Sequence, residues 1–406
     1  MVNVAVLGYG TVGSGVFEII SKNNQVLSKN IKEDIQVKYV LDLREFPGDP
    51  VEKVLVHDFK EILADEEVSI VVETMGGLHP AYEFTKQALE AGKSVCTSNK
   101  ELVATFGHEL MEIAESKNIN YMFEASCGGG IPIIRPLYTS LTAEVIEEIT
   151  GIMNGTTNYI LSKMYTEGSD FAEVLKEAQA MGYAEKNPEA DIEGYDPGRK
   201  ISILSSIAYD QQMDYKDVYT EGITKITADD IKYAKKLKAK IKLFGTSTNT
   251  KDGIAAMVAP FLIDSTHPLF AVDDVFNAIF VKGNMLGDSM YYGSGAGKLP
   301  TASAVVGDVV DLARHPKKTV NRTWKAEKIQ LIPQEKVENS FFVRVKGSTE
   351  KEGKLVTELF GVENFIQIED LEGEFAFLTE SMSEGEFTKK AEKLPVISRI
   401  RSRLSK

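Results

Sequence analysis

The 406-residue chain is short of cysteine, tryptophan, histidine and positive charge. Its two cysteines, Cys96 and Cys127, are too few for a disulfide framework or a cysteine metal cluster. No stretch of about 18 apolar residues occurs, and no basic leader runs into an apolar one. A membrane span is therefore not expected, and a cytoplasmic protein is. Lysine and arginine number 46 against 60 acids, a net charge of −14, which argues against a nucleic-acid or anionic-membrane partner. Repeats and low-complexity tracts are absent as well. What is present is an ordinary soluble composition, 43% apolar and 26% charged, with room for two or three domains.

The N-terminus carries the first pattern. The apolar run Val2 to Leu7 reads as a buried parallel strand and leads into Gly8-Tyr9-Gly10-Thr11-Val12-Gly13. A helix with Val16, Phe17, Ile19 and Ile20 on its apolar side follows. Strand, G-x-G-x-x-G, helix is the context of a dinucleotide fingerprint: Gly8 for the turn, Gly10 for approach of the pyrophosphate, Gly13 for close packing. A second strand, Ile35 to Leu41, ends in Asp42-Leu43-Arg44. An acid there favours NAD through the ribose hydroxyls and an arginine favours NADP, so both cofactors are expected to bind.

Further strands are expected at Val68–Thr74, Lys93–Cys96 and Tyr121–Ser126, with helices between them. This alternation predicts a doubly wound parallel sheet. Thr97, Ser98 and Lys100 follow a strand at the carboxyl edge, where such sheets bind ligands. Cys127-Gly128-Gly129-Gly130-Ile131 exposes backbone carbonyls that could hold a cation together with Glu124, or could serve as a hinge. After Ile133 the pattern becomes mixed: a strand at Ile146–Met153, helices at Tyr159–Tyr165 and Asp170–Met181, more helices, then a strand at Gly253–Pro260 and an apolar segment at Val275–Val281. The run Gly293 to Gly297 precedes a helix of small residues from Thr301, expected to pack back on the first domain.

Gly182 to Lys200 is the densest stretch. Asp196-Pro197 reads as a helix start, with Asp196 as N-cap. Lys200 lies three, four and seven residues before Ile203, Leu204 and Ile207, at the head of the apolar face. A lysine there must be paired or have a shifted pKa, and Asp196, one turn back, is its nearest partner.

Taken together the chain closely resembles bacterial homoserine dehydrogenase. The resemblance rests on G-Y-G-T-V-G at Gly8, T-S-N-K at Thr97, E-A-S-C-G-G-G-I-P at Glu124, G-I-M-N-G-T-T-N-Y-I at Gly151, G-Y-A-E through D-P-G-R-K at Gly182 to Lys200, and G-A-G-K-L-P-T-A-S-A-V at Gly295. It runs from Met1 to about Pro316. It implies reversible hydride transfer between L-homoserine and L-aspartate 4-semialdehyde with NAD or NADP, in threonine and methionine biosynthesis. By that resemblance Lys200 is the proton donor and acceptor, and Lys100 lies by nicotinamide and substrate. Glu185, Asp191 and Asp196 hold the substrate amino group and orient the lysines, and Tyr183, Gly155 and Thr156 touch substrate. Gly8, Gly10, Thr11, Val12, Gly13, Asp42, Arg44, Thr97, Ser98, Lys100 and Gly295 hold cofactor. Glu124 with Cys127, Gly129 and Ile131 resembles the family's Na+ site. A homodimer or homotetramer is implied.

These readings give a dinucleotide-binding domain at 1–133, with 300–316 packing on it, and a catalytic and dimerisation domain of mixed α+β character at 134–299. A polar linker at 317–338 and a βαββαβ segment at 339–406 follow. The last resembles an ACT domain in its order of elements, with L-threonine as the implied effector. The acid followed by Pro-Gly usual before its first helix is missing, however, so a purely dimerising role stands beside the sensor. The rival enzyme is an aspartate-semialdehyde dehydrogenase, which needs a thiol nucleophile; the rival class is a non-catalytic dinucleotide sensor.

Overall fold

The computed structural model describes residues 1–405, in two compact units. The first comprises residues 1–145, 202–215 and 291–329. Its sheet consists of β1 (Val2–Leu7), β2 (Ile35–Leu41), β3 (Leu55–Val56), β4 (Val68–Glu73), β5 (Ser94–Thr97) and β6 (Tyr121–Met122), in the order β3-β2-β1-β4-β5-β6. All neighbours are parallel. Every residue of β1 is buried, which is why it reads as one apolar run without alternation. This order reverses between β1 and β4, the switch point at which such sheets bind ligands.

The helix Lys298–Arg314 returns to this unit and lies against the helix Thr11–Lys22. A Cβ at Gly15 would come within 2.8 Å of Ala302 Cβ, so the glycine sets the approach of the two helices. Val16, Ile20, Val305 and Val309 complete the shared core.

Two expectations need correction here. The strand expected over Tyr121–Ser126 stops at Met122, and Glu124–Ser126 form a short 3-10 turn. The cause is Glu124, whose buried carboxylate accepts the backbone N–H groups of Ile133, Ile134 and Arg135 at 2.6 to 2.8 Å. It thereby starts the helix Ile134–Thr139 and takes the chain out of the sheet. The polar stretch after Pro316 is packed rather than loose. Asn118 and Asn120 bond the backbone of Lys317 and Lys318. Trp324 is buried beside Phe123, and β14 (Lys325–Lys328) pairs with β8 (Gln211–Gln212).

The second unit comprises 146–201, 216–290 and 330–406. Its mixed sheet runs β13 (Gly287–Ser294, of which 287–290 belong here), β12 (Phe276–Gly283), β7 (Ile146–Ile152), β10 (Lys240–Thr250), β11 (Gly253–Ile263), β18 (Val396–Arg403), β15 (Glu338–Lys346), β16 (Glu374–Leu378). Two short strands, β9 (Tyr219–Thr220) and β17 (Met382–Ser383), pair with β11 and β15. The long central strand β10 stands where helices were expected. Its Lys242, Thr246 and Ser247 are buried, and these polar residues hide the strand pattern of a two-sided core strand.

The C-terminal segment follows the order β15, helix Glu352–Phe360, β16, β17, helix Glu384–Ala391, β18, around Phe341, Val343, Phe375, Phe377 and Phe387. The strand expected at Phe365–Glu369 is only one bridge, Ile366 to Ala376. β18 continues the larger sheet directly, parallel to β11 on one side and antiparallel to β15 on the other. Among the described residues no helix is long and apolar enough to cross a membrane.

Candidate active site

In the first unit the glycine turn is explained position by position. Gly8 has φ +94°, a left-handed conformation that side chains disfavour. A Cβ on Gly13 would overlap the Gly8 carbonyl oxygen and lie 2.8 Å from Thr74 Oγ1. A Cβ on Gly10 would meet no protein atom within 4 Å. So two glycines serve the fold and the third faces open space. The helix of Thr11, Val12 and Gly13 has no side-chain cap at Gly10, so no side-chain cap answers its first N–H groups.

A cleft of about 760 Å³ opens beside this turn, lined among others by Gly8, Gly10, Asp42, Arg44, His57 and Thr74. Asp42 accepts the Tyr9 N–H (2.8 Å) and both Nε and Nη2 of Arg44 (2.9 and 2.8 Å). The Arg44 hydrogen bonds hold the Asp42 carboxyl well below the usual range. Arg44 itself is exposed and lies over the Phe46 ring. The acid and the arginine that point to different cofactors are thus bonded to one another.

Thr97 is fully buried, with its hydroxyl donated to Glu73 (2.6 Å) and accepting the Asn99 N–H. It shapes the end of β5. Burial, partly offset by Thr97, raises the Glu73 carboxyl above its ordinary pKa. Asn99 caps the helix Lys100–Ser116, which leaves the half-buried Ser98 and Lys100 at the carboxyl edge of the sheet. Gly295 packs against Gly129, and Gly130 N–H donates to the Ser294 carbonyl (3.0 Å), so two glycine loops face each other. Burial raises Glu124, and its oxygens already serve the three N–H groups described above. Among the described residues no three His, Cys, Asp or Glu side chains gather as a metal set. Cys96 and Cys127 are both buried, and burial pushes the Cys96 thiol well up. That is the wrong setting for the nucleophile of the rival dehydrogenase.

In the second unit Lys200 and Asp196 are 10% and 6% exposed at their side chains. The helix begins at Tyr195, so Asp196 sits in its first turn and is not its N-cap. That places it four residues before Lys200, whose Nζ donates to Asp196 Oδ2 (2.7 Å) and to the Met153 carbonyl (2.6 Å). Asn154 ties this pair to its surroundings. Its Oδ1 caps the helix Gly155–Glu167, and its Nδ2 donates to Asp191 (2.7 Å) and Asp196 (2.9 Å). Gly155 comes close to Val275, where a Cβ would stand 2.9 Å from the carbonyl oxygen. Thr156 donates its hydroxyl to the Tyr183 carbonyl (2.6 Å), and the Tyr183 ring leans on Tyr159. Glu185 is exposed and is not brought into the Asn154 cluster. Asn154 had no role assigned from sequence; an asparagine between a strand and a helix was its visible signal.

A parallel doubly wound sheet with an uncapped glycine turn, an acid ending its second strand, and a buried lysine–aspartate pair in a second unit define an NAD(P)-dependent oxidoreductase. The chain belongs to the homoserine dehydrogenase family. The family model "Homoserine dehydrogenase, NAD binding domain" matches residues 8–124, and "Homoserine dehydrogenase" matches residues 132–310. The homoserine dehydrogenase of Neisseria gonorrhoeae is 42% identical over 359 residues, covering 86% of this chain and 82% of that protein. The crystal structure of a homoserine dehydrogenase from Thiobacillus denitrificans superposes with TM-score 0.91 at 35% identity, covering 99% and 98% of the two chains. A hyperthermophilic archaeal homoserine dehydrogenase mutant in complex with NADPH superposes at 0.64 with 28% identity, covering 77% of this chain and 97% of that one.

Proposed function

We propose that Lys200 is the acid and base of homoserine dehydrogenation in this chain. The observation that carries this is the buried Lys200–Asp196 pair, whose lysine bonds Met153 and whose aspartate bonds Asn154. When bound, the nicotinamide supplies or accepts the hydride at the aldehyde carbon. As the carbonyl becomes an alcohol, negative charge grows on its oxygen, and Lys200 delivers the proton there; in homoserine oxidation it takes that proton back. Asp196 orients the lysine, while Asp191, Glu185, Tyr183, Gly155 and Thr156 receive the amino acid. Lys100, at the end of β5, is assigned to the nicotinamide and the reacting oxygen.

The first unit suits both cofactors: Gly10 leaves room for the pyrophosphate, Asp42 for ribose hydroxyls, Arg44 for a 2′-phosphate. Sodium at Glu124 and the carbonyls of Cys127, Gly129 and Ile131 uses the remaining acceptor capacity of a carboxylate that already takes three N–H bonds. Threonine sensing by the C-terminal segment and a homodimeric or homotetrameric state complete the reading. Oxidation of NADH and NADPH by L-aspartate 4-semialdehyde, side by side and with phosphate present or absent, is the test. Turnover with either cofactor, independent of phosphate, supports it. A strict need for phosphate would favour the thiol-dependent semialdehyde enzyme.

A further inference from the structure

Glu73 ends β4 at the switch point of the first sheet, with Leu7 and Thr97 as its cross-strand neighbours at the ends of β1 and β5. It is wholly buried, and neither the glycine turn nor the chemistry assigned above uses it. Burying a carboxylate is costly unless its oxygens are answered. Here both are. Oε1 accepts the Met75 N–H (2.7 Å) and Oε2 the Thr97 hydroxyl (2.6 Å). Each bond leads into a turn at the carboxyl edge of the sheet. On one side Thr74 and Met75 line the cofactor cleft. The Thr74 hydroxyl is shared between the Leu7 and Gly8 carbonyls (3.0 Å each), and a Cβ on Gly8 would stand 3.2 Å from Met75 Cα. On the other side the Thr97 hydroxyl accepts the Asn99 N–H (2.8 Å), and Asn99 caps the helix that opens with Lys100. Asn99 Nδ2 closes the circuit by donating to the Gly77 carbonyl (2.6 Å).

We propose that Glu73 is a positioning residue for hydride transfer: it ties the turn after β4 to the turn after β5 and so sets the cofactor against Lys100. This rests on the assignment of Lys100 to the nicotinamide and the reacting oxygen. The chemistry the position needs is narrow. Donors from two different turns converge on one side chain, so both of its ends must accept, and an ionised carboxylate does this. Glutamine has the same length, but when its oxygen serves Met75 its amide nitrogen meets Thr97 as a donor. One of the two turns then loses the common anchor. The glycine turn and Lys100 share no direct bond through this region; Glu73 and Asn99 are what join their supports.

Glu73→Gln, Thr97→Val and Asn99→Ser, each compared with the wild-type chain, test this. NADPH affinity is read by fluorescence titration, kcat and KM by homoserine oxidation, and the folded fraction by chemical denaturation. A failure of the catalytic reading shows in the wild-type chain, which would not turn over; a failure of this proposal shows only in the variants. Glu73→Gln should weaken NADPH and lower kcat by about tenfold each in protein that is still folded. Glu73→Gln combined with Thr97→Val should be little worse in kcat/KM than the poorer single variant, because both cut one link. Asn99→Ser keeps a helix cap and loses the reach to Gly77, so it should weaken NADPH by about threefold or more even if Glu73→Gln proves too unstable to assay. A carboxylate that only stabilises the fold would lower the folded fraction and leave NADPH affinity, KM and kcat per folded molecule unchanged. That outcome, fully multiplicative losses in the double variant, or wild-type NADPH affinity in Asn99→Ser would overturn the proposal.

Discussion

In the first unit the surface proposed to bind ligand is made of backbone: a glycine turn, an uncapped helix and strand ends. In the second it is made of side chains, with Asn154, Asp191, Asp196 and Lys200 bonded in series. A backbone surface fails when atoms are added to it, because its value is the space it leaves. A side-chain cluster fails when atoms are removed, because each group answers another. The C-terminal strand β18 belongs to the second kind: Arg401 is wholly buried, donating to Glu384 (2.5 and 2.9 Å) and Glu221 (2.8 Å).

Arg401→Met should therefore have the largest effect on stability. It leaves Glu384 and Glu221 without this cation, and breaking a buried pair costs about 3 to 5 kcal/mol. Chemical denaturation should show that loss while NADPH affinity holds. A loss below about 1 kcal/mol would place β18 among elements merely attached to the sheet.

The glycines come next. Gly13→Ala should cost about 1 to 3 kcal/mol through overpacking against Gly8 and Thr74, and cofactor affinity with it. Gly10→Ala should change stability by less than about 0.5 kcal/mol, yet weaken NADPH, because its Cβ enters open space. Equal stability losses in the two would break the division between a packing glycine and a binding glycine.

The second unit should also carry a pH signature. His267 stacks on Phe244 and its Nδ1 accepts the Leu269 N–H. Burial, and then the charge of Arg403, pushes it down from 6.5 to about 4. The folded protein keeps the ring neutral while the unfolded chain takes a proton, so this stability is complete above about pH 6.5 and declines as pH falls towards 4. Its size is about 1 to 3 kcal/mol. His267→Gln should flatten that part of the stability–pH curve, and an unchanged slope would remove the residue from the account.

The smallest effect belongs to exposed Arg44. Arg44→Ala should weaken NADPH about tenfold and NADH hardly at all. Equal losses would mean that the arginine serves only to hold Asp42.

The backbone-built half was readable because strand, glycines and helix are contiguous: Gly8, Gly10 and Gly13 declare turn, opening and packing within six residues. Lys200 and Asp196 were readable for the same reason, lying one turn apart on one helix. Asn154 escaped because its partners are 37 and 42 residues distant and its helix cap accounts for it locally. Strand β10 escaped because Lys242, Thr246 and Ser247 are polar yet buried, Lys242 finding Asn158, the Val272 carbonyl and Asp273. Both C-terminal helices and the strands β15, β16 and β18 could be read from their periodicity, while the strand expected at Phe365–Glu369 is a single bridge and β17 was not foreseen. That β18 would pair with β11 could not be read, since parallel neighbours more than a hundred residues apart leave no local trace.

Lys200→Ala tests the central claim most directly, with turnover and NADPH affinity measured on the same preparation. Removing the acid–base group should lower kcat by about 10² to 10⁴, while NADPH affinity by fluorescence titration stays at the wild-type value. A variant that turns over near the wild-type rate would show that the buried lysine only fills the head of an apolar face, and the acid would have to be sought at Lys100.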